Sequence, residues 1–402
     1  MKVLFVGSVI KTEDCLKNLG PSVAGNKMQM GIIKGLKKHF GANLSILTER
    51  PIASFPRENV LYINYGIIEL TKNIIAKKVP FINIFILKQL SQIFSAFFLI
   101  CEWIKNNKDE QKVIICFNAF PYIAIPVLWA AKLFNVKSIC ILADPPIDSV
   151  SRGFLGKIAK LIEDKSTKKS IKKFDGLVVL NKNMIAEYAP HSKYIVVDGG
   201  FDLEETPHTP CGGQWVNLSS EEPLKVVFSG ALIEYNGIVN LIEAAKLVKN
   251  PRFVLEIYGS GPLENYVKKI SEEESRIIYK GKVSNTEMMK IQQNSALLVN
   301  PRPVRDPISM NTFPSKMIEY LVSGTPVVTT KLNGFTEDYF DHMFVFEDES
   351  PESMADTIDY ILALDRNELI KKATNARQFI LKNKNWDVQT DKIIEFMNSL
   401  IH

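Results

Sequence analysis

Short runs of β-branched and aromatic residues alternate with helix-period segments along this chain, stop at a stretch broken by proline and glycine, and then begin again. Parallel sheets covered by helices require that alternation. In the first half, strands are expected near residues 2–6, 44–48, 59–63, 112–116, 137–142, 176–180 and 194–197. Residues 203–223, with their prolines, Gly212-Gly213 and polar residues, interrupt the series and are expected to be a linker. The series restarts at Leu224-Lys-Val-Val-Phe-Ser-Gly230, with further strands near 253–258, 276–279, 296–300, 326–329 and 343–346. A chain of 402 residues exceeds what one core supports. Two doubly wound α/β domains are therefore expected, over 1–202 and 224–385, with an amphipathic helix 386–401 crossing back onto the first. Such sheets bind ligands outside the carboxyl ends of their strands, so two facing each other make a cleft.

Composition narrows the chemistry. Cys15, Cys101, Cys116, Cys140 and Cys211 form no Cys-x-x-Cys pair, which points to a reducing compartment and no zinc site. The five histidines, His39, His191, His208, His342 and His402, lack metal-ligand spacing, and no Asp-x-Asp triplet occurs. No metal and no cofactor are expected. Met1 runs directly into Lys2-Val-Leu-Phe-Val6 without the features of a signal peptide, so a cytoplasmic location is expected. The formal charge of +5 is modest, and no nucleic-acid motif accompanies its lysines.

Three strand ends in the second half carry glycine turns: Phe228-Ser-Gly-Ala-Leu232, Tyr258-Gly-Ser-Gly-Pro262 and Tyr279-Lys-Gly-Lys-Val283. Glycine permits close backbone approach to a ligand, and also serves tight strand-to-helix turns for structural reasons alone. The sharper signal is Asn300-Pro-Arg-Pro-Val-Arg305 followed by Asn311-Thr-Phe-Pro-Ser-Lys-Met-Ile-Glu-Tyr-Leu-Val-Ser-Gly-Thr-Pro326. Pro314 fits the first turn of a helix, with Thr312 or Phe313 just before it, and Gly324 its end. The amides of Ser315 and Lys316, the Lys316 ammonium and the Ser315 hydroxyl would then suit a diphosphate. Glu319, one turn on, can accept from a ribose diol.

Residues 224–345 resemble the donor domain of the retaining group 1 glycosyltransferases, and Phe313-Pro-Ser-Lys-x-x-Glu-Tyr-x-x-Ser-Gly-Thr-Pro326 resembles a branch common among bacterial surface-polysaccharide enzymes. The resemblance implies the GT-B fold, two Rossmann-like domains facing across a cleft, and a nucleotide-sugar as substrate. Of the family's two glutamates eight positions apart, the second falls on Glu319 and the first on Asn311, a departure at the donor-sugar position. A second departure puts Ala231 and Asn236 where the family usually offers Arg and Lys to the diphosphate. Arg302 and Arg305, with Lys316, could supply that charge, the alternative being that both arginines are solvated loop residues. Gly230, Gly259 and Gly261 line the donor side in this reading, and Gly281-Lys282-Val283 resembles the family's backbone contact to the base.

In the first half, Gly25-Asn26-Lys-Met opens a helix reaching His39 and resembles the family's acceptor loop. Asp144, in Ala143-Asp-Pro-Pro-Ile-Asp148, matches the polar position near the reacting sugar, where it could orient the acceptor or take its proton; shaping the turn is the alternative. Asp144, Asn311 and Glu319 are the catalytic candidates, with retention implied by the resemblance. The expected acceptor is lipid-linked or a saccharide. The apolar segment 79–104 has no unbroken run long enough to span a bilayer. Lys157, Lys160, Lys165, Lys168 and Lys172 share an arc of about 140° on a helix over 155–173, a solvated face or a site for an anionic membrane surface. A dinucleotide oxidoreductase is disfavoured because Glu264 stands where its third glycine belongs. A nucleotide-sugar epimerase of the same fold and an inactive sugar-nucleotide or membrane-binding protein remain open.

Overall fold

The computed structural model describes residues 1–15, 22–143, 154–219, 221–306, 309–310 and 312–401. The chain divides into two compact units, residues 1–199 with 386–402, and residues 200–385. Each is a Rossmann-like α/β layer structure.

In the first unit the strands are β1 (Lys2–Gly7), β2 (Leu44–Thr48), β3 (Tyr62–Ile63), β4 (Gly66–Thr71), β5 (Ile74–Lys78), β6 (Phe81–Ile82), β7 (Lys112–Phe117), β8 (Lys137–Leu142), β9 (Gly176–Val179) and β10 (Tyr194–Val196). The main sheet runs β10-β9-β8-β7-β1-β2-β5-β4, parallel except for the β4–β5 hairpin. β1, β7 and β8 are apolar over most of their length because both faces are covered. One face packs on the helices Val23–Phe40 and Trp386–Ile401, the other on Leu87–Asn106, Pro121–Phe134, Phe154–Ile171 and the short Lys182–Tyr188.

The expected strand at 59–63 is a correction: only Tyr62–Ile63 is extended, and it pairs antiparallel with β6 outside the main sheet. The hairpin β4–β5 was not expected. Its exposed Ile67, Glu69, Ile75 and Lys77 alternate with inward residues, the pattern of an edge hairpin open to water on one face. The helix within the apolar segment begins only at Leu87, after Ile86 at φ 69°.

In the second unit β11 (Leu224–Ser229), β12 (Phe253–Tyr258), β13 (Ile277–Gly281), β14 (Leu297–Asn300), β15 (Val327–Thr329) and β16 (Phe344–Val345) form a parallel sheet ordered β13-β12-β11-β14-β15-β16. Successive strands run outward from β11 on one side and from β14 on the other, so the topological switch lies between these two. The expected linker 203–223 is also a correction, since its described residues pack as part of this unit. Trp215 is buried in the core and donates its indole N–H to the Ala296 carbonyl at 2.7 Å, while Gly212 N donates to Gly324 O at 2.5 Å.

The helix Trp386–Ile401 lies against Val23–Phe40 through two glycines one turn apart. A Cβ on Gly31 would stand 2.3 Å from the Trp386 indole, and one on Gly35 2.3 Å from Thr390 Oγ1. The close approach forbids larger residues. Gly31→Val should therefore cost about 1–3 kcal/mol in denaturant unfolding. Trp386→Ala should cost more alone, yet the double variant should lose less than the sum, because the valine fills part of the vacated space. Strict additivity would show that the two positions do not share that contact.

Candidate functional site

The switch between β11 and β14 gathers the titratable groups of the second unit's site. β11 ends in Ser229-Gly230, and β14 is followed by Pro301-Arg302. The helix Lys316–Ser323 begins against the same ends. Gly230 sits at φ 156°, and a Cβ there would fall 2.0 Å from Lys316 Nζ. The lysine thus occupies the space a side chain would need. Its ammonium donates a short hydrogen bond to the Ser229 carbonyl and lies 5.3 Å from the Phe228 ring centre. One turn along, the buried Tyr320 hydroxyl accepts from Ser229 N at 2.9 Å and shares a hydrogen bond with Ser229 Oγ at 3.0 Å. Burial pushes that phenol up to about 12.

Arg302 lies on the other side of the switch. Its guanidinium donates to Thr312 Oγ1 and to Asn236 Oδ1, both at 3.3 Å, and stacks 5.4 Å from the Tyr235 ring centre. Asn236 in turn donates to Ala231 O at 2.8 Å, so the two positions that depart from the family pattern are bonded to each other and one of them holds the arginine. Burial and the neighbouring Arg302 charge lower the Lys316 ammonium to about 8, with Glu319 acting in the opposite direction. Two cations in a half-buried crevice repel each other, and an anion bound between them relieves both that repulsion and their desolvation.

The helix start differs from the expectation. The regular helix runs from Lys316, with Ser315 at the N-cap position and no side-chain capping bond, and Pro314 precedes it with its carbonyl accepting from Met317 N at 2.8 Å. The reason is the aromatic cluster beneath: Phe313 is buried 5.5 Å from Phe335 and 5.7 Å from Tyr339, which draws the segment inward before it can turn helical. Phe313 is thus part of the packing under the site. Ser315 is exposed and Glu319 half-buried. At the opposite helix end the buried Arg377 donates to the carbonyls of Val322 and Ser323, neutralising the negative pole.

Elsewhere in this unit the glycine turns interlock. A Cβ on Gly259, at φ 139°, would meet Gly230 O at 1.8 Å, and one on Gly261 would meet Leu232 O at 2.6 Å. Lys282 is exposed and Val283 half-buried just past β13. Arg305 is exposed, apart from the Arg302 network. Asn311 lies outside the described residues.

In the first unit Asp144 also lies outside them. Asn26 is buried and its amide is used on both sides by Ile10, accepting from its N–H at 2.9 Å and donating to its carbonyl at 3.0 Å. It therefore fastens the loop after β1. Gly25, inside the helix Val23–Phe40, meets only ordinary contacts with Ser22. A group that sequence reasoning missed is Glu49, buried directly after β2 with neither carboxyl oxygen hydrogen-bonded among the described residues. Burial raises its pKa well above the carboxylate range, and Lys88 opposes that rise. Its sequence context, Leu47-Thr-Glu-Arg50, carries no burial signal. Tyr320 was likewise missed as a polar group, although its neighbour Glu319 was singled out. Among the described residues, no group of three or more His, Cys, Asp or Glu could hold a metal ion.

Residues 214–378 match the family model described as glycosyl transferases group 1. Solved structures share the whole fold. Sucrose-phosphate synthase from Thermosynechococcus elongatus superposes with a TM-score of 0.66 at 14% identity, over 100% of this chain and 99% of its own. The Anabaena protein Alr3699/HepE, in complex with UDP, gives 0.65 at 15%, over 99% and 100%. The chain has the GT-B fold, and its second unit carries the match to the glycosyl transferases group 1. The lipopolysaccharide outer core galactosyltransferase WaaB also shares the fold, with a TM-score of 0.63 at 12% identity over 99% of both chains. No curated protein matches the chain by sequence. The match to the group 1 model covers β11 to β16 and with them Gly230, Arg302, Lys316 and Glu319. Glycosyltransferases of this kind depend on a nucleotide-sugar.

An ammonium titrating near 8 is about nine-tenths charged at pH 7 and about one-tenth at pH 9. Calorimetric titration of a nucleoside diphosphate into this protein should therefore weaken about tenfold between those values. Lys316→Met should bind weakly and lose that dependence. The stability contribution has the opposite sign: a lysine lowered in the folded state favours unfolding while charged, so folding gains as pH rises from about 8 toward the ordinary lysine value near 10.4. A parent profile as flat as the variant's would remove Lys316 from the anion site.

Proposed function

We propose that this enzyme transfers a sugar from a nucleotide-sugar to a lipid-linked or saccharide acceptor in cell-surface polysaccharide synthesis, with retention of configuration and without a metal ion. The observation that carries the donor part is the Lys316 ammonium in the side-chain space of Gly230 beside Arg302, at the switch of the sheet. Bond cleavage at the sugar leaves negative charge on the departing diphosphate, and fixed cations in a desolvated crevice favour that state without reorganising. The first turn of Lys316–Ser323 adds its positive pole, while Arg377 covers the other end.

Glu319, three residues along the same helix, is assigned to the ribose diol, and the turn after β13 to the base. The UDP complex of the Anabaena neighbour supports a uridine nucleotide as the first donor to test. Retention rests on the group 1 resemblance, with attack from the face the nucleotide leaves. Asp144 and Asn311 carry their acceptor and sugar-side assignments from that resemblance alone. The galactosyltransferase neighbour that acts on lipopolysaccharide outer core supports the surface-polysaccharide assignment. Exposed Lys165, Lys168, Lys169 and Lys172 support work at the anionic inner face of the cytoplasmic membrane. Metal independence rests on the sequence, which has no Asp-x-Asp triplet.

Glu319→Gln should lower affinity for both nucleoside diphosphate and nucleotide-sugar by about tenfold to several hundredfold, the loss of one or two charge-assisted hydrogen bonds. Lys316→Ala should weaken the diphosphate far more than the nucleoside. Calorimetry with nucleoside, diphosphate and nucleotide-sugar separates the two, and parent-like binding by Glu319→Gln refutes the ribose assignment. Transfer or donor hydrolysis should continue in EDTA; complete loss restored by Mg²⁺ or Mn²⁺ refutes metal independence.

A further inference from the structure

On one face of the first unit's sheet, which the short helix Lys182–Tyr188 also covers, three helices have outward surfaces that are apolar where a solvated layer is polar. On Leu87–Asn106 the residues Leu90, Phe94 and Phe98 follow one another at helical spacing and are 49%, 53% and 66% exposed, while Gln92 points inward and is buried. On the adjoining Pro121–Phe134, Trp129 and Leu133 are exposed, and Trp129 packs 6.0 Å from Phe97 and 6.5 Å from Phe94, joining the two helices into one surface. On Phe154–Ile171, which packs on Pro121–Phe134, the exposed Ile158, Leu161 and Ile162 occupy the first half. Lys165 and Lys169 continue the same arc, about 100° wide, in the second half.

The charges select the occupant. Glu102 is the one exposed carboxylate on these three helices, with Glu187 on the adjoining Lys182–Tyr188, against exposed Lys105, Lys132, Lys157, Lys165, Lys168 and Lys169. The remaining acids, Glu163 and Asp164, are both held by Lys160 at 3.4 and 2.9 Å, which removes Lys160 from the expected lysine stripe. A second copy of this chain would bring the same positive field against itself. A surface with apolar side chains at its centre and unneutralised lysines around them matches an anionic bilayer, with acyl chains for the former and headgroups for the latter.

We infer that this three-helix face inserts into the interface of an anionic membrane. The inference rests on the membrane part of the proposed function and adds to it an apolar insertion step that salt does not screen. Attraction by Lys165, Lys169 and Lys172 brings the face to the headgroups, and Leu90, Phe94, Phe98 and Leu161 then enter below them.

The test is flotation of the full chain with phosphatidylcholine vesicles, with and without phosphatidylglycerol, at low salt and at about 1 M salt, where screening acts within about 3 Å. The parent should float with the anionic vesicles, lose only part of that binding in salt, and show Trp emission quenched by brominated acyl chains. Trp129→Phe should remove most of that quenching. Phe94→Ser/Phe98→Ser/Leu161→Ser should lower the partition coefficient at least tenfold and abolish the salt-resistant fraction, with circular dichroism and lipid-free nucleotide binding unchanged. Lys165→Gln/Lys169→Gln/Lys172→Gln should lower it about a hundredfold on anionic vesicles only, at about 1 kcal/mol for each lysine. The inference is overturned by a parent that binds no vesicle, by binding wholly released in salt, by quenching that survives Trp129→Phe, or by a lipid-free dimer that the apolar variant converts to monomer. Nucleotide binding measured without lipid separates these failures from failure of the transferase reading.

Discussion

The ammonium of Lys316 lies where a side chain at position 230 would be, and the rest of the donor side is arranged around that approach. Lys316 and Tyr320 are one helical turn apart, so they present to β11 from a single helix face. Together they take the Ser229 carbonyl, amide and hydroxyl, and the strand end and the helix start become one rigid piece. A larger residue at 230 would displace the ammonium and loosen both. Glycine here reserves room for a charged group, whereas at 259 and 261 it lets one backbone turn lie against the next.

That difference explains why glycine-rich turns read ambiguously. The turn holding Gly259 and Gly261 needs glycine to lie against the turn after β11, Gly281 meets nothing within 4 Å, and only the structure shows that Gly230 is the one that adjoins a cation. The fold class was legible because strands covered on both faces, such as Val226 to Phe228 and Ile139 to Leu142, need continuous apolar runs. The β4–β5 hairpin was not, since an alternating edge hairpin breaks no rule of the surrounding βα series. Residues 203–223 read as linker by composition, yet one buried Trp215 and a few backbone bonds to 295 and 324 suffice to seat the described part of them. Helix-start chemistry at Pro314 was overridden by tertiary packing of Phe313 among Phe335 and Tyr339. Asn26 looked available to a ligand because nothing in its neighbours announces the bonds to Ile10.

The first unit contains an inversion of the usual rule along one helix. Leu87–Asn106 places Gln92 inside and Phe94 and Phe98 outside. A sequence window sees only that the segment is apolar, and cannot separate a core stripe from an exposed one, since both recur at the same period. The neighbouring helices decide it: Ala96, Ile100 and Ile104 face the sheet, and the stripe through Leu90 is left over.

The two departures from the family pattern become one feature when the bonds around Arg302 are followed. Without basic residues at 231 and 236, the turn after β11 brings no positive charge of its own to a diphosphate. Asn236 instead donates to the Ala231 carbonyl and accepts from Arg302, while Tyr235 supplies the face on which the guanidinium stacks. The positive charge therefore comes from the loop after β14, across the switch, and is steered by the turn that lacks it. A lysine at 236 would have repelled Arg302 from this place, so the neutral residue and the arginine are mutually dependent. Arg302 also adjoins Lys316 closely enough to lower its pKa, which makes the lysine's charge more responsive to an incoming anion than a solitary ammonium would be. Binding of the diphosphate and full protonation of Lys316 are then coupled, each favouring the other, and departure of the diphosphate loosens both.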